Sequence, residues 1–206
     1  MKPDFSDLVA PAHTAVVTQE CQGAVMGPRA GLAVLAAEAR REALPNIVRL
    51  LPAARAANVR IVHCLVQRRP DGLGSNHNAR LFASAGKGVD ITPESEGAAL
   101  LGELGPEQED LVLTRWHGVG PMGGTDLDAV LRNMGVATIV AVGVSLNVAI
   151  PNLVMDAVNK GYRVVLARDA VAGYPAEYGA AMIENSLSLL ATITTTDELL
   201  ATWKAS

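Results

Sequence analysis

Three short stretches carry residue types that could do chemistry. "TQECQ" sets Glu20, Cys21 and Gln22 in a row. "TRWHG" offers Arg115, Trp116 and His117, and "VGVSLNVAIPNLV" holds Ser145, Leu146, Asn147 and Ala149 just before a helical pattern. A carboxylate such as Glu20 can protonate a substrate or activate a water. A guanidinium such as Arg115 can hold a substrate anion or a neighbouring carboxylate. Free backbone amides between Ser145 and Ala149, at a helix start, would favour anions and developing oxyanions whatever the side chains are. Trp116 suits a stacking or packing wall. His117 could shuttle a proton or serve as a hydrogen-bonded loop histidine.

Regular elements must bring these stretches together. Apolar runs alternate with helical patterns along the whole chain. "HTAVVTQECQ", "VRIVHCLV", "DLVLTR", "ATIVAVGV", "YRVVLA" and "ATIT" read as strands. Between them, "LPNIVRLLPAARAANV" places Ile47, Leu50, Leu51 and Ala54 on one helical face, and Leu127, Val130, Leu131 and Met134 form a second stripe. Thr125 is placed to cap that helix and Gly135 to stop it. Further helices are expected over about 148–160 and 175–190, with a last one opening at "TTDELL". Strict alternation with right-handed crossovers means a mostly parallel, six-stranded sheet between two helical layers, an α/β three-layer sandwich of Rossmann-like kind. Ligands bind such sheets outside the carboxyl ends of the strands, where all three stretches fall. Residues 68–105 are too weakly patterned for an ordinary connection and are expected to cover the site or form an interface. Asn147 reads as a helix cap and Asp169 as a capping residue at the end of the fifth strand.

The constellation resembles the isochorismatase-like hydrolases. The resemblance runs from about Thr14 to the last helix and rests on "TAVVTQECQ", "TRWHGVGPMGGTDLDAVLRNMGVATIVAVGVSLNVA" and "DAVNKGYRVVLARDAVAG". It implies an aspartate ending the first strand, a lysine after the third, and a cysteine at the start of the helix after the fourth. Glu20, Arg115 and Ala149 stand at or next to those positions, and Gln22 follows Glu20 as the family pattern has it. All three catalytic types differ, so the resemblance implies a fold without the usual thiol mechanism. It also implies a non-proline cis peptide at Val144–Ser145. The family's Asp–His–His metal set finds no counterpart in His63 or His77, so neither metal nor cofactor is expected.

A net charge of -4 over 206 residues gives no electrostatic footprint for nucleic acid or an anionic membrane. No run reaches the roughly 18 apolar residues of a spanning helix. Cys21 and Cys64 lack CxxC or metal spacing and read as reduced thiols of a cytoplasmic protein. Cys21 should point away from the face that Glu20 lines, because successive strand residues alternate. The expectation is one isochorismatase-like domain over residues 1–206, acting on or binding a small molecule as a homodimer or larger homo-oligomer. Two readings compete: a cysteine-independent hydrolase of a small carboxylated or carbonyl-bearing metabolite, and a catalytically inactive member that binds a ligand or partner through the same pocket. Glu20 itself could be a base, an acid, or one half of a structural pair with Arg115.

Overall fold

The computed structural model describes residues 4–85 and 89–205. Its strands are β1 (Thr14–Gln19), β2 (Arg60–Val66), β3 (Leu111–Arg115), β4 (Thr138–Val144), β5 (Arg163–Ala172) and β6 (Thr192–Thr194). They form one sheet in the order β3-β2-β1-β4-β5-β6, and every neighbouring pair is parallel. β1 and β4 are buried along their whole length, as apolar strands covered on both faces should be. β3, at one edge, leaves Leu111 and Val112 exposed.

Helices cover both faces. On one side lie α1 (Leu44–Ala56) and the C-terminal Thr196–Ala205 helix. The stripe Ile47, Leu50, Leu51 and Ala54 is fully buried there, with Leu199 and Trp203. Trp203 Nε1 donates to Val9 O at 2.9 Å, satisfying the one polar atom of a buried indole. On the other side α2 (Leu127–Asn133), α3 (Ala149–Asn159) and α4 (Ala176–Asn185) bury Leu127, Leu131, Ile150, Leu153 and Ile183. Among the described residues no helix is long and apolar enough to cross a membrane.

Two elements differ from the sequence expectation. α4 ends at Asn185, and a 3-10 turn at Leu187–Leu189 takes over the last part of the expected helix. β5 does not stop near Asp169 but runs on to Ala172 through a register shift against β4. Asp169 does cap, but at a distance: its Oδ1 accepts from Thr196 N at 2.9 Å and Thr196 Oγ1 at 3.0 Å, at the start of the last helix.

A polar cluster interrupts the apolar face under β1–β3. His63 is fully buried; its Nδ1 lies 2.9 Å from Thr18 Oγ1 and its Nε2 3.4 Å from Asp110 Oδ2. The carboxylate calls for a proton on Nε2, so Nδ1 accepts from the Thr18 hydroxyl. Asp110 also accepts from Arg55 Nη2 at 2.5 Å and from Glu107 N at 2.9 Å. This clasp joins α1, β1, β2 and the entry to β3. Burial raises the Asp110 carboxyl, but Arg55, the Glu107 amide and His63 together outweigh it and hold it below its ordinary 3.8. Burial lowers His63 from its ordinary 6.5 by more than Asp110 restores.

Candidate active site

In an open parallel sheet the ligand crevice opens where the strand order reverses. Here β1 has β2 on one side and β4 on the other, so the crevice lies between the carboxyl ends of β1 and β4. Gln19 pairs in register with Gly143, so Glu20 and the Ser145–Ala149 turn leave the sheet side by side. Close packing of the two strands here depends on Gly143. Its φ is +109°, and a Cβ there would stand 2.3 Å from Gln19 O and 3.0 Å from Cys21 Sγ. Gly143→Ala is expected to cost about 3 kcal/mol, because the obstruction is backbone that cannot swing aside. Chemical unfolding measures this; a loss below a few tenths of a kcal/mol would mean that the strands part easily behind Glu20.

Glu20 has a φ of +53°, a left-handed conformation uncommon outside glycine. Its side chain meets Arg115, whose Nη2 donates to Glu20 Oε1. The Arg115 side chain is 3% exposed and that of Glu20 17%, so the guanidinium is buried while the carboxylate reaches the crevice. Arg115 arrives from β3, across β2, because Val66 pairs with Arg115 and Cys64 with Gln19. The pairing that the sequence raised is therefore present.

The turn after β4 contains a cis peptide at Val144–Ser145, where the resemblance implied one. Ala149 is the first residue of α3 and is nearly buried. Only part of the turn has amides to offer. Leu146 N donates to Ala172 O at 2.8 Å and Val148 N to Ser145 O at 3.2 Å. Among the described residues, the amides of Asn147 and Ala149 meet no acceptor within the chain.

Other candidates divide into lining and framework. Trp116 and His117 line an open cavity of about 430 Å³ at the β3 edge, with Cys64, Leu113, Arg115 and Asp126. Glu20 and Ala149 are not among that cavity's lining residues, so of the three positions that the resemblance singled out only Arg115 borders it. A smaller hollow of about 150 Å³, at Pro11, Thr14 and Met134, lies by the amino ends of the strands, away from the crevice. Gln22 is fully buried and its amide is spent: Nε2 donates to Val66 O and Gly97 O, both at 2.9 Å, and Oε1 accepts from Val66 N at 2.8 Å. Leu146 is core. Asn147 is not the cap of α3, which Val148 occupies without a side-chain bond. Its amide instead grips the Tyr174 backbone, accepting from Tyr174 N at 2.9 Å and donating to Tyr174 O at 2.6 Å. The extension of β5 makes this possible by carrying the chain to Tyr174 beside the turn.

The weakly patterned segment is stitched to the same end of the sheet. Leu100 bridges Gln22, and Gly23 N donates to Ala99 O at 3.0 Å. Asn76 Oδ1 accepts from Gly118 N at 2.7 Å, joining this segment to the loop after β3. Residues 86–88 of it lie outside the described part.

Cys21 is fully buried in the apolar layer opposite the one holding Cys64. Burial pushes each thiol up to about 12, and at Cys64 the nearby Arg115 opposes this without reversing it. Among the described residues no three His, Cys, Asp or Glu side chains gather as a bound metal would require.

Comparison with known proteins places the chain by sequence and by fold. The chain is 28% identical over 180 residues to the ureidoacrylate amidohydrolase RutB of Agrobacterium fabrum, covering 78% of this chain and 76% of that protein. It is 33% identical over 127 residues to the secreted isochorismatase effector Isc1 of Verticillium dahliae, a match spanning 62% of this chain and 58% of the effector. In fold it is similar to a cysteine hydrolase from Pseudomonas syringae pv. phaseolicola, with a TM-score of 0.85 at 24% identity, over 96% of this chain and 95% of that one. The model of the Isochorismatase domain matches residues 14–198, and the chain belongs to that family.

Proposed function

We propose that the chain is a hydrolase of a small carboxylated or carbonyl-bearing metabolite that works without a thiol nucleophile. The observation carrying this reading is the Glu20 carboxylate, paired with Arg115, at the crevice where Ala149 opens α3. Ala149 has no side chain able to form a covalent intermediate. The two thiols are buried, and groups near 12 stay protonated and poorly nucleophilic at neutral pH. Of the three positions that the resemblance singled out, Glu20 is the one that can take up and return a proton.

In this reading Glu20 takes a proton from water while the water oxygen bonds to the substrate carbonyl carbon. The carbonyl π pair moves to its oxygen, where the amides of Asn147 and Ala149 can receive it. Collapse restores the carbonyl and breaks the bond to the leaving group, which takes the proton back from Glu20. The name of the Agrobacterium relative, an amidohydrolase, makes a C–N bond the first choice of scissile bond. Arg115 anchors the Glu20 carboxylate through Oε1.

A panel of small amides, ureides, esters and vinyl ethers tests this. The expected result is at least one substrate whose hydrolysis collapses in Glu20→Gln and survives in Cys21→Ala. Turnover that survives Glu20→Gln and is lost in Cys21→Ala would overturn the mechanism in favour of the thiol. A second reading, an inactive member that binds a ligand, draws on one observation: Glu20 and Ala149 do not border the cavity beside Arg115. Absence of turnover across the panel, with saturable binding of one of its members, would favour it.

A further inference from the structure

We propose that Gln19 is a positioning residue for Glu20: with Arg115 it anchors Oε1, leaving Oε2 as the oxygen that accepts the proton. The inference rests on the reading of Glu20 as the base. Gln19 closes β1 and is fully buried. Its Nε2 donates to Glu20 Oε1 at 3.1 Å, and Arg115 Nη2 donates to the same oxygen. Among the described residues no side chain or amide donates to Glu20 Oε2.

Gln19 obtains little else from its position. Its own Oε1 is buried without a partner, as are Arg115 Nε and Nη1. A buried amide normally finds partners for both ends, and an unpaired end costs about 1–3 kcal/mol. Turning the amide over would set its carbonyl against the Glu20 carboxylate, oxygen to oxygen, so the orientation is held by the bond to Glu20. Cys64, the register partner of Gln19, offers only a weakly polar sulfur. Three orphaned polar atoms and a left-handed Glu20 backbone thus converge on one carboxylate. Strain and unpaired groups concentrated at one residue are what a pre-organised reactive group requires. A leucine or methionine at position 19 would satisfy the strand equally well and remove the orphaned acceptor.

Two donors on one oxygen polarise the carboxylate unequally. Both donors hold Oε1, which leaves Oε2 as the oxygen without a donor among the described residues. A water approaching from the crevice meets one defined acceptor.

Isotope-edited infrared spectroscopy of protein carrying ¹³C-carboxyl glutamate reads this without a substrate, with Glu20→Gln subtracted to isolate the Glu20 bands. The antisymmetric and symmetric stretches of Glu20 are expected to lie widely apart in the parent protein and to close together in Gln19→Met. Circular dichroism checks that the variant is folded; if it is not, Gln19→Asn, which shortens the reach to Glu20 but keeps an amide, replaces it with the same expected narrowing. Glu20 bands unchanged in the folded variant would overturn the proposal. With a substrate from the panel, kcat is expected to fall about tenfold with KM nearly unchanged, and the acid limb of the pH–rate profile to move; a fall in stability alone would argue for a purely structural glutamine. Because the spectrum needs no turnover, shifted bands support the positioning role even if the hydrolase reading fails its own test.

Discussion

Glu20→Gln is expected to reduce turnover by about 10²- to 10⁴-fold, the range contributed by a positioned general base. It should also lower stability by roughly 2 kcal/mol. The amide can still accept from Arg115, but the guanidinium loses the countercharge that offsets its burial. The two effects separate in the double variant Glu20→Gln/Arg115→Met. Removing the buried charge returns stability close to that of the parent, since an apolar side chain of similar reach replaces an ion whose desolvation is costly. Turnover stays lost, because nothing remains to take the proton. Parallel urea unfolding and kinetic assays decide the outcome. A Glu20→Gln protein that is destabilised yet keeps full turnover would mean that the pair is structural and the chemistry lies elsewhere.

The second large effect belongs to the clasp of His63, Asp110 and Arg55. Asp110→Asn should cost about 3 kcal/mol at neutral pH. It removes the charge that faces both Arg55 and His63 at a site where the carboxylate is almost wholly buried. The wild-type protein should also lose stability on acidification in two steps. His63 holds its proton less well in the folded chain than in the unfolded one, so the unfolded state binds more protons below the ordinary 6.5 and stability falls as pH drops through that range. Asp110 is likewise held below its ordinary value, so a further loss begins below 3.8 and continues as the folded carboxyl is protonated. His63→Leu should abolish the first step and leave the second. Stability that does not change between pH 7 and 5 in the parent protein would contradict the neutral, buried state of His63.

The run "TAVVTQECQ" was legible as a buried strand with a carboxylate at its end, because a uniform apolar run admits little else. Glu20 was legible as a candidate and Arg115 as its partner, since both fall at carboxyl ends of strands. Gln19 was not legible. A glutamine at the end of a strand reads as ordinary polarity until the structure shows it fully buried against Glu20. Its one advance signal was a long polar side chain in a run of otherwise small or aliphatic residues.

Asn147 shows the same limit from another side. Local pattern makes it a helix cap, because Asn before a helix usually is one. The tertiary structure gives its amide to Tyr174 instead, through a β5 that runs past Asp169. The clasp of Arg55, His63 and Asp110 was invisible for a related reason: its members are brought together only by the order β3-β2-β1 and by the packing of α1 beneath it.

The sequence by itself determined the alternation of strands and helices, the parallel sheet and the end of the sheet where chemistry could occur, because periodicity and chain connectivity act locally. Only the tertiary structure decided which oxygen of Glu20 is held, which amides of the turn stay free, and which polar residues are framework. Those depend on register and on burial across strands distant in the chain, and a hydrogen bond is fixed by tenths of an ångström that no local pattern encodes.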